Sequence, residues 1–205
     1  MIAVPTVIEF EAPPLRKGEI LRYSNGDPAD EGTDELIDVC ASELLPTLTY
    51  RVCYGEFPVV VSGESVSICG STTVSRDLSK YLLGCDRAIV FGATVGLSPD
   101  RHIKKYSRIS PARALIYSAI GSERTEALCD AFCKYAAEEY GKTGYRLSPR
   151  FSAGYGDLSL DLQRPIFDAL DLSRRLGISL GSTMLMTPTK SVTAIIAVRP
   201  KNIRS

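Results

Sequence analysis

The chain has 205 residues, 44% hydrophobic and 23% charged, as in an ordinary soluble domain long enough to bury a real core. Twenty-four basic residues balance twenty-four acidic ones with no long basic run, so nucleic acid is not an expected partner. No apolar run approaches the ~20 residues of a membrane span, and residues 1–10 lack a basic n-region and are broken by Pro5 and Glu9, so a cytoplasmic protein is expected.

Residues 1–10 carry Val4, Val7 and Ile8 and read as a strand or an arm. A single domain over residues 1–205 is expected, with residues 1–32 as its N-terminal arm. Asn25-Gly26-Asp27-Pro28 is turn chemistry. Thr33 is placed as the cap of a helix running to about Leu45, with Glu35 near its positive end and Pro46 stopping it. Residues 49–57 alternate as a strand, and 59–62 and 65–68 flank Gly63-Glu64 as a hairpin. Ser75 caps a short helix to Leu83, closed by Gly84.

A buried strand over 87–91 runs into Gly92-Ala93-Thr94-Val95-Gly96, and a helix opens at Ser98-Pro99. Strand, glycine-bearing loop and helix N-terminus is the layout of anion sites. The P-loop lysine and the dinucleotide glycine spacing are both missing, so the loop reads as structural first and as a pocket wall second. The six cysteines (Cys40, Cys53, Cys69, Cys85, Cys129, Cys133) contain no Cys-x-x-Cys pair and read as buried structural thiols. His102, the sole histidine, reads as a solvated helical residue.

The longest element covers residues 110–140, about 45 Å of helix. Ser110 caps it, Pro111 opens it and Gly141 closes it. Ile116, Ile120, Ala127, Ala131 and Tyr135 recur at helical spacing, and Gly121-Ser122-Glu123 interrupts that stripe. A mid-helix glycine costs about 1 kcal/mol against alanine, so it marks either close packing against another backbone or a tolerated weak spot.

The loop Arg150-Phe151-Ser152-Ala153-Gly154-Tyr155-Gly156-Asp157 then packs an arginine, two glycines, a tyrosine and a carboxylate into eight residues. Arginine offers a planar fork for a carboxylate or phosphate, and tyrosine a ring for a flat heterocycle. Gly-Tyr-Gly is also ordinary turn chemistry, so both a ligand loop and a plain turn fit the residues. A short helix over 161–170, Gly177-Ile178-Ser179-Leu180, the stretch Met184-Leu185-Met186-Thr187-Pro188-Thr189-Lys190 and a strand over 191–198 complete the chain. Strands early and late around central helices predict an α+β fold.

The order of these late motifs resembles the activation domain of cobalamin-dependent methionine synthase. That family carries an Arg-x-x-Pro-Gly-Tyr loop, matched here by Arg150-Phe151-Ser152-Ala153-Gly154-Tyr155. Its Met-x-Pro-x-x-Ser-Val strand opening is matched by Met186-Thr187-Pro188-Thr189-Lys190-Ser191-Val192. The chain looks most like small standalone relatives of that domain, through Ala93-Thr94-Val95-Gly96, residues 114–122 and residues 126–130, so the likeness spans about 87–198. Three departures stand out. Ala153 replaces a proline, Leu180-Gly181-Ser182-Thr183 replaces Leu-Thr-Glu-Ser, and Ile195-Ile196 replaces aromatics.

The resemblance implies an antiparallel sheet with a long central helix and flanking helices. It implies that S-adenosylmethionine is bound, with Arg150 clasping its carboxylate, backbone around Ser152 and Gly154 meeting the adenosyl part, and Tyr155 walling the pocket. The expected function is an accessory for reductive reactivation of a separate cobalamin-dependent methionine synthase, with a flavodoxin-like reductase as a further partner. Cobalamin is expected only on that partner, and no catalytic residue or metal ligand is assigned. The alternatives are a docking module for a corrinoid protein and a small-molecule binder on the same fold.

Overall fold

The computed structural model describes residues 4–25 and 31–201, so Gly26-Asp27-Pro28 of the expected turn lies outside the described residues. Strand β1 is Thr6–Glu9. The chain beyond it is no free arm, because Lys17–Ser24 forms helix α1 with Ile20 fully buried. Eight residues with no side-chain cap make a marginal helix alone, so α1 owes its form to tertiary packing. Helix α2 is Glu31–Leu44, which puts Thr33 within its first turn rather than at its cap.

Arg51–Pro58 is β2, and Val60–Ser62 (β3) and Ser65–Ile68 (β4) form the expected hairpin across Gly63-Glu64. Ser71–Val74 (β5) adds a third strand beyond the expected pair. Ser75 caps α3 (Arg76–Leu82), its hydroxyl accepting from Leu78 N at 3.0 Å. Strand β6 is Arg87–Thr94, three residues longer than expected. Gly92 is therefore a ladder residue, opposite Cys53 and Thr193. A Cβ on Gly92 would stand 2.7 Å from Leu172, so this glycine serves close packing rather than a turn.

Ser98–Tyr106 is α4 and Pro111–Lys142 is α5, which runs one residue past Gly141. Tyr145–Leu147 is β7, Gln163–Leu170 α6 and Leu172–Leu176 α7. The short pair β8 (Ser179–Leu180) and β9 (Met186–Thr187) precedes β10 (Ser191–Pro200).

The main sheet has strand order β1-β2-β6-β10-β7 with every pairing antiparallel. Its central strands are buried on both faces, which is why β6 reads as an unbroken apolar run. On one face Cys53, Val90, Ile195 and Ala197 pack with Leu78, Leu82, Ile166, Leu170 and the small β3-β4-β5 sheet. On the other, Val52, Ile89, Phe91, Ala194 and Ile196 pack against Leu128, Cys129, Phe132 and Ala136 of α5. The first half of α5 runs on into a third cluster, where Ile116, Tyr117 and Ile120 meet Ile20, Ile37, Cys40 and Leu44 of α1 and α2.

At the junction of those halves lies a buried ion pair. Glu123 and Arg124 are 0% and 1% exposed, and Arg124 donates to both Glu123 carboxylate oxygens. Arg124 also donates to Pro13 O at 2.5 Å and Pro14 O at 2.8 Å, and Arg16 donates to Glu123 Oε1 at 3.0 Å. The charged centre of α5 thus ties the N-terminal segment to the core.

The cysteines are free, four of them buried and Cys69 and Cys133 half-buried. Burial pushes the Cys53 thiol up to about 11 and the Cys69 thiol to about 12. His102 is not simply solvated: its ring packs 4.8 Å from that of Tyr117, with Nδ1 2.9 Å from Ser98 O. No helix among the described residues is long and apolar enough to cross a membrane.

Candidate functional site

The loop after β7 continues along the edge of the sheet. Phe151 exchanges both backbone bonds with Ile195, at 2.8 and 2.7 Å, so residues 150–152 run beside β10. Gly154 N–H donates to Leu158 O at 2.9 Å and Tyr155 N–H to Ser152 O at 3.2 Å, closing a tight turn. Gly154 sits at φ 85°, and a Cβ there would stand 2.8 Å from Leu160. Its glycine character is therefore structural, and its N–H is already engaged. Asp157 accepts from Ser75 Oγ at 2.5 Å, Arg76 N at 2.9 Å and Asp77 N at 3.2 Å, docking the loop on the N-terminus of α3. The Ser75 hydroxyl, then the Asp77 and Arg76 amides, hold its carboxyl below the usual carboxylate range.

Arg150 behaves differently. It is half-buried, its Nη2 bonds the Glu126 carboxylate and lies 3.7 Å from Asp130, and its Nη1 is buried without a partner. Burial works against its charge, but Cys129, Glu126 and Asp130 raise its pKa. Arg150 and Ser152 line a cavity of about 240 Å³ with Ala153, Glu126, Gln163, Met186 and residues 191–193. Gln163 is 6% exposed and its Oε1 has no partner either. Tyr155 stands beside this cavity without lining it, 70% exposed, with its ring 5.5 Å from that of Phe151.

A second cavity of about 220 Å³ is lined by Tyr23, Ser122, Thr125, Thr189 and Lys190, and shares Glu126, Ser191 and Val192 with the first. Alone, each falls below the roughly 300 Å³ at which small-molecule pockets begin, and together they reach that range. The groove presents Arg150, Glu126 and Lys190, a cation, an anion and a cation, on walls that apart from the Gln163 amide are hydroxyl-bearing or apolar.

The structure thus brings Arg150 and Ser152 together and leaves Gly154 and Tyr155 outside the lining. Sequence reasoning missed Glu126, Gln163 and Lys190 as site residues. One signal was present: Ser118, Gly121 and Ser122 recur at i, i+3 and i+4 where the apolar stripe of the long helix breaks, which marks a polar groove along one face. The segment 92–96 lines neither cavity; Thr94 accepts from Ser191 and Gly96 there, a structural role. A larger cavity of about 550 Å³, walled by Phe57, Val60, Ile68, Cys69 and Ala169, offers no charged group. Its Ser67 and Thr72 hydroxyls bond each other at 2.8 Å.

No family model matches the chain, and no curated protein matches it in sequence. In structure it is similar to a MetH reactivation domain solved bound to AdoHcy, with 16% sequence identity and a TM-score of 0.68. The match covers 98% of this chain and 80% of that one. Curled antiparallel sheet, long central helix and flanking helices correspond, and the chain has the fold of the MetH reactivation domain.

Proposed function

We propose that this chain binds S-adenosylmethionine in the Arg150–Glu126–Lys190 groove and presents it to a separate cobalamin-dependent methionine synthase for reactivation. The observation that carries the reading is the half-buried Arg150–Glu126 pair with Arg150 Nη1 left unpartnered. The amino-acid end of the ligand is a zwitterion. Its carboxylate takes Arg150 while its ammonium takes Glu126, so one charge pair exchanges for two and neither buried charge is stranded. The adenosyl end takes the wall formed by Ser152, Ala153, Gln163 and Met186, where the Gln163 amide supplies an acceptor lacking a partner. In this reading Tyr155, exposed next to Ser152 and outside the cavity lining, closes over the ligand after binding.

S-adenosylmethionine supplies an electrophilic methyl group on a sulfonium, and this chain supplies its position. Arg150 fixes the amino-acid end, the edge of β10 forms the floor, and the exposed side of the loop faces the partner that carries cobalamin and receives electrons from a flavodoxin-like reductase. The similar MetH domain is described as bound to AdoHcy, the demethylated form of the same ligand, which supports the reading.

A docking role without the cofactor is favoured by one observation. Tyr155 and Leu185 are 70% and 72% exposed, large apolar side chains of the kind that anchor a partner. Methyl-labelled S-adenosylmethionine, a cobalamin-loaded methionine synthase and a reductant separate the two. The cofactor-presenting role predicts label transfer to the partner only when this chain is added, and loss of transfer with Arg150→Ala. Transfer equally fast without the chain removes the accessory role, and transfer that needs the chain and survives Arg150→Ala but falls with Leu185→Ala assigns docking.

A further inference from the structure

The interruption of the apolar stripe of α5 is filled by a side chain from far along the sequence. Lys190, just before β10, lays its stem across the helix at Gly121. A Cβ there would stand 2.9 Å from Lys190 Cγ and 3.1 Å from Pro99 Cβ. The ammonium then meets two hydroxyls one turn apart, with Nζ donating to Ser118 Oγ at 3.0 Å and to Ser122 Oγ at 2.9 Å. Ser118, Gly121 and Ser122 thus form a cradle for one lysine, and the room at Gly121 is taken by a side chain rather than by a backbone.

The cradle holds the ammonium without neutralising it. A lysine has three N–H donors, and two are engaged by neutral hydroxyls. Among the described residues no carboxylate lies within 4.0 Å of Nζ. Burial lowers the Lys190 pKa, opposed only by the more distant Asp100, whose carboxylate accepts from Thr189 N at 2.8 Å and from the Thr189 hydroxyl. Arg150, in the adjoining cavity, already has the Glu126 carboxylate. A partly buried cation without a counter-ion is costly, and an anion arriving with a ligand supplies what is missing.

We propose that Lys190 is a carboxylate-binding residue of the groove, reached by the acidic end of a ligand whose body occupies the Arg150 cavity. The carboxylate is then held between two cations, Arg150 and Lys190, with Glu126 between the two cavities facing the ammonium. The identity of the ligand rests on the proposed S-adenosyl function, and the contribution of Lys190 is separable from it.

The test is calorimetric titration of the whole chain with two ligands: S-adenosylhomocysteine, and the same thioether with its carboxyl group replaced by hydrogen. Lys190→Met is expected to weaken S-adenosylhomocysteine roughly 10-fold and the carboxyl-free analogue less than about 2-fold. Lys190→Gln, one bond shorter but keeping an N–H donor without the charge, should do the same and guards against a variant that loses its fold. Equal binding of S-adenosylhomocysteine by wild type and both variants overturns the proposal, as does an equal loss for both ligands. Wild-type protein that binds neither ligand overturns the S-adenosyl function itself, a result distinct from either of those.

Discussion

At the scale of residues, Arg150 bears the largest expectation. Arg150→Ala removes the proposed charge-assisted bond to the ligand, so S-adenosylmethionine affinity should fall about 10- to 100-fold, corresponding to roughly 1.5–3 kcal/mol. Arg150→Lys should recover only part, because a point charge cannot fork. Equal affinity of wild type and Arg150→Ala, read by titration, would make the Glu126 pair purely structural. Asp157 belongs to the fold instead. Its folded pKa is depressed by the Ser75 hydroxyl and the Asp77 and Arg76 amides. Its contribution to stability is therefore complete above its unfolded pKa near ~3.9 and is lost as pH falls through the lower folded value. Asp157→Asn should lower the melting temperature at pH 7 and flatten its fall below about pH 4; an unchanged acid profile would show that the loop docks on α3 by other contacts. Residue type made the loop legible as special, because an arginine, two glycines, a tyrosine and a carboxylate share eight positions. It did not reveal which polar groups are free. Gly154 N–H and Asp157 are engaged internally, and only the folded geometry distinguishes them from the unpartnered Arg150 Nη1.

At the scale of elements, α5 organises the molecule. Its charged centre interrupts the stripe because Glu123 and Arg124 are buried there to hold Pro13, Pro14 and Arg16. Glu123→Ala strands Arg124 in the core and should cost about 3–5 kcal/mol, a large share of the ~5–15 kcal/mol of a typical domain. Denaturant unfolding measures this, and a change below about 1 kcal/mol would contradict the role given to the pair. Long or well-punctuated elements were legible: α5 between Ser110 and Gly141, the hairpin at Gly63-Glu64, and α3 behind Ser75. Helix α1, β5, β7 and α7 were not, because three to eight residues with weak local signals form only when their apolar faces find the core. Gly92 misled for a related reason. A glycine read as a loop is in fact a strand residue kept small so that Leu172 can approach.

At the scale of the molecule, strands clustered early and late around a long helix announced an antiparallel α+β fold, and β1-β2-β6-β10-β7 is that sheet. Motif order reached further than composition, since it pointed to a fold that matches 98% of the chain. The groove was only half legible, because it forms where α1, the middle of α5, the loop after β7, the start of α6, β9 and the start of β10 meet, six segments spread through the sequence. Whether this groove holds an S-adenosyl amino acid, as proposed, is read by calorimetric titration of the purified chain with S-adenosylmethionine. Saturable one-to-one binding that Arg150→Ala weakens at least about 10-fold is expected. No heat of binding from a folded wild-type protein, or saturable binding indifferent to Arg150, would contradict the proposal.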